Sequence, residues 1–135
     1  MIYFLIKSGL KQRLLTRTLL FSVLFLLISI LAKAQKPKDG IYTYSIAFAE
    51  WNGKSLGATC TVVIKGDSIK VIHNGTGNLT GKKGDILDQG IIMKHTKTGK
   101  WIIGHSTNDK AAKEINNCSE GPGEIDFKHK RFWSC

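Results

Sequence analysis

Four histidines close four apolar runs. His73 follows Ile69 and Val71, His95 follows Ile91 and Met93, His105 follows Trp101 and Ile103, and His129 follows Ile125 and Phe127. At a period of two, each imidazole extends the apolar face of a strand, and neutral imidazole is a good ligand for zinc or copper. Successive strands of a meander run in opposite directions, so His95 finishes at the end away from His73 and His105. A zinc or copper centre is therefore confined to His73, His105 and His129. No H-x-H or H-x-x-x-H pair reinforces that centre. The plainer reading is strand-end histidines bonded to loop backbone, with no cofactor.

Other chemistry-bearing residues point away from catalysis. Ser45, Ser55, Ser68, Ser106, Ser119 and Ser134 all lack the G-x-S-x-G turn that presents a serine nucleophile. Cys60 alternates with Val62 and Ile64, an apolar setting that raises a thiol pKa and makes it inert. The carboxylates Asp85, Asp88, Glu120, Glu124 and Asp126 sit at loop edges and around a glycine turn. The glycine-rich stretch Asn74 to Gly84 reads as a flexible loop. It is no phosphate cradle, because Lys82 is followed by Lys83 and then by a strand rather than by Ser or Thr and a helix. Asn74-Gly75-Thr76 and Asn78-Leu79-Thr80 match the N-glycosylation acceptor pattern.

Charge points to binding. Lys94, Lys97, Lys100, Lys128, Lys130 and Arg131 form one basic face if neighbouring strands pack together, suited to anionic glycans, lipid headgroups or an acidic protein. The ordinary role of such lysines is to solubilise a sheet and discourage edge pairing. Single-stranded nucleic acid would need exposed aromatics among the charges. Phe127 and Trp133 are expected to face inward, so no nucleic acid is expected.

These residues must be positioned by a small exported domain. Lys7, Lys11, Arg13 and Arg17 precede an apolar run from Leu19 to Leu31 that ends in Ala32-Lys33-Ala34, the three regions of a signal peptide. Cleavage after Ala34 leaves Gln35, not cysteine, at the new terminus, so the mature chain is expected to carry no membrane anchor. The formal charge of +10 falls to +5 once Lys7, Lys11, Arg13, Arg17 and Lys33 are removed. The three cysteines, Cys60, Cys118 and Cys135, lie in the exported part, where disulfides persist. Cys118 with Cys135 is the expected bridge, since both flank the last strand in positions able to meet, and Cys60 is expected to be buried and free.

Residues 35–135 read as one β-rich domain. Ile41 to Trp51 alternates, with Tyr42, Tyr44, Ile46 and Phe48 inward, and ends at the turn pair Asn52-Gly53. Thr59 to Lys65 and Ser68 to His73 flank Gly66-Asp67 as a hairpin. Ile86 to His95 follows, with a bulge or bend at Gly90, then Lys100 to His105. A helix of two or three turns is expected from Thr107 or Asn108 to Asn116-Asn117. The last strand, Glu124 to Trp133, is read as unbroken, with Ile125, Phe127, His129, Arg131 and Trp133 on its inner face.

The fold class is all-β and mainly antiparallel: about six strands in a small barrel or sandwich, one short helix before the last strand, and the last strand closing onto the first. The opening Gly40-Ile41-Tyr42-Thr43-Tyr44 strand with its up-and-down hairpins is similar to lipocalin-like barrels, which use eight strands. That resemblance implies an interior holding a small apolar ligand. The expected function is a non-enzymatic binding or interaction module, secreted or periplasmic, whose partner is a protein or an anionic surface. The alternatives are a small-ligand barrel and a histidine-coordinated metal protein or metal-dependent enzyme. A pocket mouth would be lined by Trp101, His105, His129, Arg131 and Trp133.

Overall fold

The computed structural model describes residues 2–30, 35–77, 81–116 and 118–135, and the chain divides into two units, Met1–Ala34 and Gln35–Cys135. The first unit is one helix, α1, Ile2–Ile30. Its Leu19, Leu20, Phe21, Val23 and Leu24 are exposed. Among the described residues no helix is long and apolar enough to cross a membrane. The expected cleavage motif, Ala32-Lys33-Ala34, lies outside the described residues.

The second unit is a closed barrel of seven strands: β1 Gly40–Phe48, β2 Thr59–Lys65, β3 Ser68–His73, β4 Ile86–Lys94, β5 Trp101–Gly104, β6 Gly123–Asp126 and β7 Arg131–Ser134. Each strand pairs antiparallel with the next. The closing pair β1–β7 is parallel, with Ile46 opposite Phe132. An odd number of alternating strands leaves the first and last pointing the same way, so the parallel seam follows from the count. Closure leaves no exposed sheet edge.

Period-two alternation explains the interior. Tyr44, Ile46, Cys60, Val62, Ile64, Ile69 and Val71 are inward and buried, joined by Ile92, Ile103, Ile125, Phe127 and Phe132. Strands β1 to β3 and the Gly66-Asp67 turn follow the expected pattern. The polar leader is tied to that turn: Lys36 Nζ lies 2.8 Å from Asp67 Oδ1, and the Gly66 N–H donates to Asp39 Oδ1 at 2.9 Å. The unit thus has its own closed sheet, core and disulfide, the requirements for independent folding.

Three expectations are corrected. First, the last strand is not continuous. Asp126 accepts from the His129 N–H at 3.0 Å and contacts its Nδ1 at 2.7 Å, folding Phe127 to Lys130 into a turn with Lys130 at φ 52°. The alternation restarts beyond it, so Phe132 faces inward while Arg131 and Trp133 face outward. This split raises the strand count to seven. Second, the expected helix is only a 3-10 turn over Thr107–Ala111. The carbonyls of Lys110 and Ala112, which a helix would direct to later amides, accept instead from Thr96 N and His95 Nε2. The β5–β6 connection therefore lies along β4 and β5, and outward-facing Ile102 is fully buried. Third, the register shift of β4 falls opposite Val71 and Ile72, not at Gly90. Gly90 is needed for close approach: a side chain there would run into the Gly104 carbonyl oxygen.

Candidate functional site

The barrel has two ends. At one lie the start of β1 and the β2–β3, β4–β5 and β6–β7 turns. The β1–β2, β3–β4 and β5–β6 connections and the C-terminus leave from the other.

His73 ends β3 at the second end, buried, with its Nδ1 accepting the Gly75 N–H at 2.7 Å. Gly81 lies so close to this ring that a side chain there would overlap it. His105, at the same end, is exposed, with Nε2 2.7 Å from Asp88 Oδ1. His129 stands in the β6–β7 turn at the opposite end. The expected metal set His73, His105 and His129 is therefore not brought together, because the broken last strand carries His129 away. Among the described residues no three His, Cys, Asp or Glu side chains are grouped to hold a metal ion. His95 is fully buried. The Ala112 carbonyl 2.7 Å from its Nε2 can only accept, so Nε2 carries the proton and Nδ1 accepts from Thr98.

The expected pocket-mouth set is also dispersed. Trp101 starts β5 with its ring edge-on to Phe127, centroids 5.7 Å apart, and the Lys94 ammonium 4.7 Å from its centroid. His105 is at the far end of that strand. Arg131 is half-buried on the outer face, its Nε without a hydrogen-bond partner among the described residues. Trp133 is outward too, its ring packed on Gly53. These five residues line no common mouth.

Two carboxylate–imidazole pairs escaped the sequence reading. Asp88 sits opposite Val71 and points inward; its side chain is 7% exposed, Oδ1 meets His105 and Oδ2 is buried without a partner among the described residues. The signal available was its two-residue spacing from Gly90 and Ile92 on one face. Asp126 with His129 is the second pair. Burial pushes the Asp126 carboxyl up, but hydrogen bonds from His129 and then the charges of His129 and Arg131 more than offset this and hold it below its ordinary value. Each pair fixes an imidazole, and the two are at opposite ends of the barrel.

Buried groups in the interior are inert. Burial pushes the Cys60 thiol up to about 12, and burial together with neighbouring Tyr42, Asp126 and Cys60 does the same for the Tyr44 hydroxyl. Cys118 and Cys135 form the expected disulfide, with Cα atoms 5.1 Å apart.

The Asn74 to Gly84 loop is closely packed where described. Side chains at Gly75 and Gly77 would meet Lys83 and Ala58. The Asn74 carboxamide accepts from the Thr61 hydroxyl at 2.6 Å and donates to Thr59 Oγ1 at 3.0 Å, so it serves the fold; Asn78-Leu79-Thr80 lies outside the described residues.

The outer face of β2–β4 holds an open groove of about 480 Å³, bordered by Val63, Lys65, Ser68, Lys70, Gln89 and Ile91. Ile91 is 47% exposed, and Ile41, opposite Val63 on β1, is 75% exposed. Apolar side chains flanked by ammonium groups can take up an amphipathic, anionic surface. No protein-family model matches the chain, and no curated protein or solved structure matches it.

Proposed function

We propose that residues 35–135 act as an exported, non-enzymatic binding module, working at the cell envelope or outside the cell, that meets its partner with the outside of the barrel. The observation that carries this reading is the interior itself. Tyr44, Ile46, Val62, Val71, Ile103, Phe127 and Phe132 fill it, as side chains do in narrow barrels, so contact falls to the outer surface. The groove between Val63 and Ile91, with Lys65 and Lys70 at its border, is the part of that surface best suited to contact. Export is supported by the basic-then-apolar N-terminus and by a disulfide, which persists in oxidising compartments. The small-ligand barrel has less support, since the buried side chains occupy the space a ligand would use.

Native mass spectrometry of the protein recovered from an exporting host tests the reading. The expected mass is that of Gln35 to Cys135 less two hydrogens for the disulfide. A retained small molecule or metal, released on denaturation, would overturn it in favour of an internal site.

A further inference from the structure

We infer that the end of the barrel carrying the start of β1 and the β2–β3, β4–β5 and β6–β7 turns is a docking surface for an anionic phospholipid bilayer; this rests on the external-binding reading and names its partner.

Topology, not sequence proximity, assembles this surface. Lys65 closes β2 at the β2–β3 turn, Lys97 lies in the β4–β5 turn and Lys128 and Lys130 lie in the β6–β7 turn, and a meander delivers those turns to one end. All four are exposed, and among the described residues none has an ion-pair partner; Lys36 and Lys100 are paired, with Asp67 and Glu124. Glu50, Asp85, Asp109, Glu114 and Glu120 lie in connections that leave from the other end, whereas Asp39, Asp67 and Asp126 stand at the lysine end, Asp67 paired with Lys36 and Asp126 with His129. An excess of positive charge at one end orients a protein on an oppositely charged plane.

A further observation favours a bilayer over a soluble polyanion. Ile41 is 75% exposed at the start of β1, beside the groove that exposes Ile91, so apolar side chains border the lysines. Such side chains gain by entering the headgroup boundary, whereas a soluble polyanion offers them nothing.

The test is co-sedimentation of Gln35–Cys135 with phosphatidylcholine vesicles, with and without phosphatidylglycerol. Binding is expected only to the anionic vesicles and is expected to weaken between about 0.01 M and 1 M salt as the Debye length falls from about 30 Å to about 3 Å. Each lysine removed should lower partitioning about fivefold, so Lys128→Gln with Lys130→Gln should lower it about 25-fold. Lys54→Gln, Lys82→Gln and Lys83→Gln together, at the other end, should leave it unchanged, and Ile41→Ser should weaken it without changing its salt dependence. Equal partitioning to neutral and anionic vesicles, or equal losses from both ends, overturns the proposal. Binding to heparin with none to vesicles also overturns the bilayer as partner while leaving the external-binding reading intact. A tightly held internal ligand would sink that reading instead.

Discussion

Phe132→Ala against Trp133→Ala separates the split last strand from a continuous one. In a continuous strand Trp133 shares the inner face with Ile125 and Phe127, and Phe132 lies outside among the lysines. In the barrel Phe132 is 1% exposed, opposite Ile46 on β1 and Ile125 on β6, so its ring spans the parallel seam. Removing a fully buried phenylalanine ring costs about 3–5 kcal/mol, part lost transfer free energy and part cavity. Trp133 is only partly covered, on the outer face against Gly53, and its truncation should cost about half as much. Urea unfolding of the oxidised protein, followed by tryptophan fluorescence, measures both. With a slope of about 1–3 kcal/mol per molar urea, Phe132→Ala should lower the midpoint by roughly 2 M. A small domain holds only about 5–15 kcal/mol, so Phe132→Leu, expected to cost about 1–2 kcal/mol, keeps the comparison readable if the alanine variant is too unstable. A cost below about 1 kcal/mol for Phe132→Ala, with a larger one for Trp133→Ala, would refute the inward assignment.

Further outcomes follow from the same structure. Cys118→Ser with Cys135→Ser opens a bridge of sequence separation 17 and should cost about 3 kcal/mol, seen as a lower calorimetric midpoint, while Cys60 stays unreactive to thiol reagents until unfolding. Asp109 is held below the ordinary carboxylate value by the backbone N–H of His105 and then of Ser106, and Asp126 lies below it too. A lowered native value means their contribution is complete above about pH 4 and is lost as pH falls through that value. Asp126→Asn should therefore lower the melting temperature most at neutral pH and least in acid, flattening the acid side of a melting curve against pH. Lys130→Gly should stabilise the β6–β7 turn by about 1 kcal/mol, because φ 52° strains any side chain there; equal or lower stability counts against that turn.

Legibility varied along the chain with the range of the interactions that decide each element. β1, β2 and β3 were readable because a two-residue period and a Gly-Asp turn are local, and the registers Tyr44 opposite Cys60 and Val62 opposite Val71 are what those alternations require. The disulfide was readable from the positions of its cysteines around the last strand. The turn at Asp126 was not, since E-I-D-F-K-H-K-R-F-W keeps strand composition throughout and the break depends on one carboxylate capturing His129. The error propagated: one misplaced turn reversed the faces of Arg131, Phe132 and Trp133 and removed His129 from the proposed metal set. Likewise the short helix after Thr107 is present but stops at Ala111, because His95 and Thr96, well before it in the chain, take the carbonyls it would have used to continue.

The parity of the strand count has a consequence for function. A meander of even count returns its C-terminus to the end where it began, whereas seven strands place the two at opposite ends. Here β1 begins at the lysine-bearing end, and the Cys118–Cys135 bridge fastens the C-terminus to the loop before β6 at the other. Splitting the last strand is thus what separates the end where the leader joins from the end bearing Asp88 and His105. If the basic end lies on a bilayer, the Asp88–His105 pair and the packed loop after His73 face away from it. A partner in solution could then reach them without competing for the membrane contact. In an antiparallel six-stranded barrel both termini would crowd one end, and orienting that end on a surface would hold the C-terminal segment against it as well.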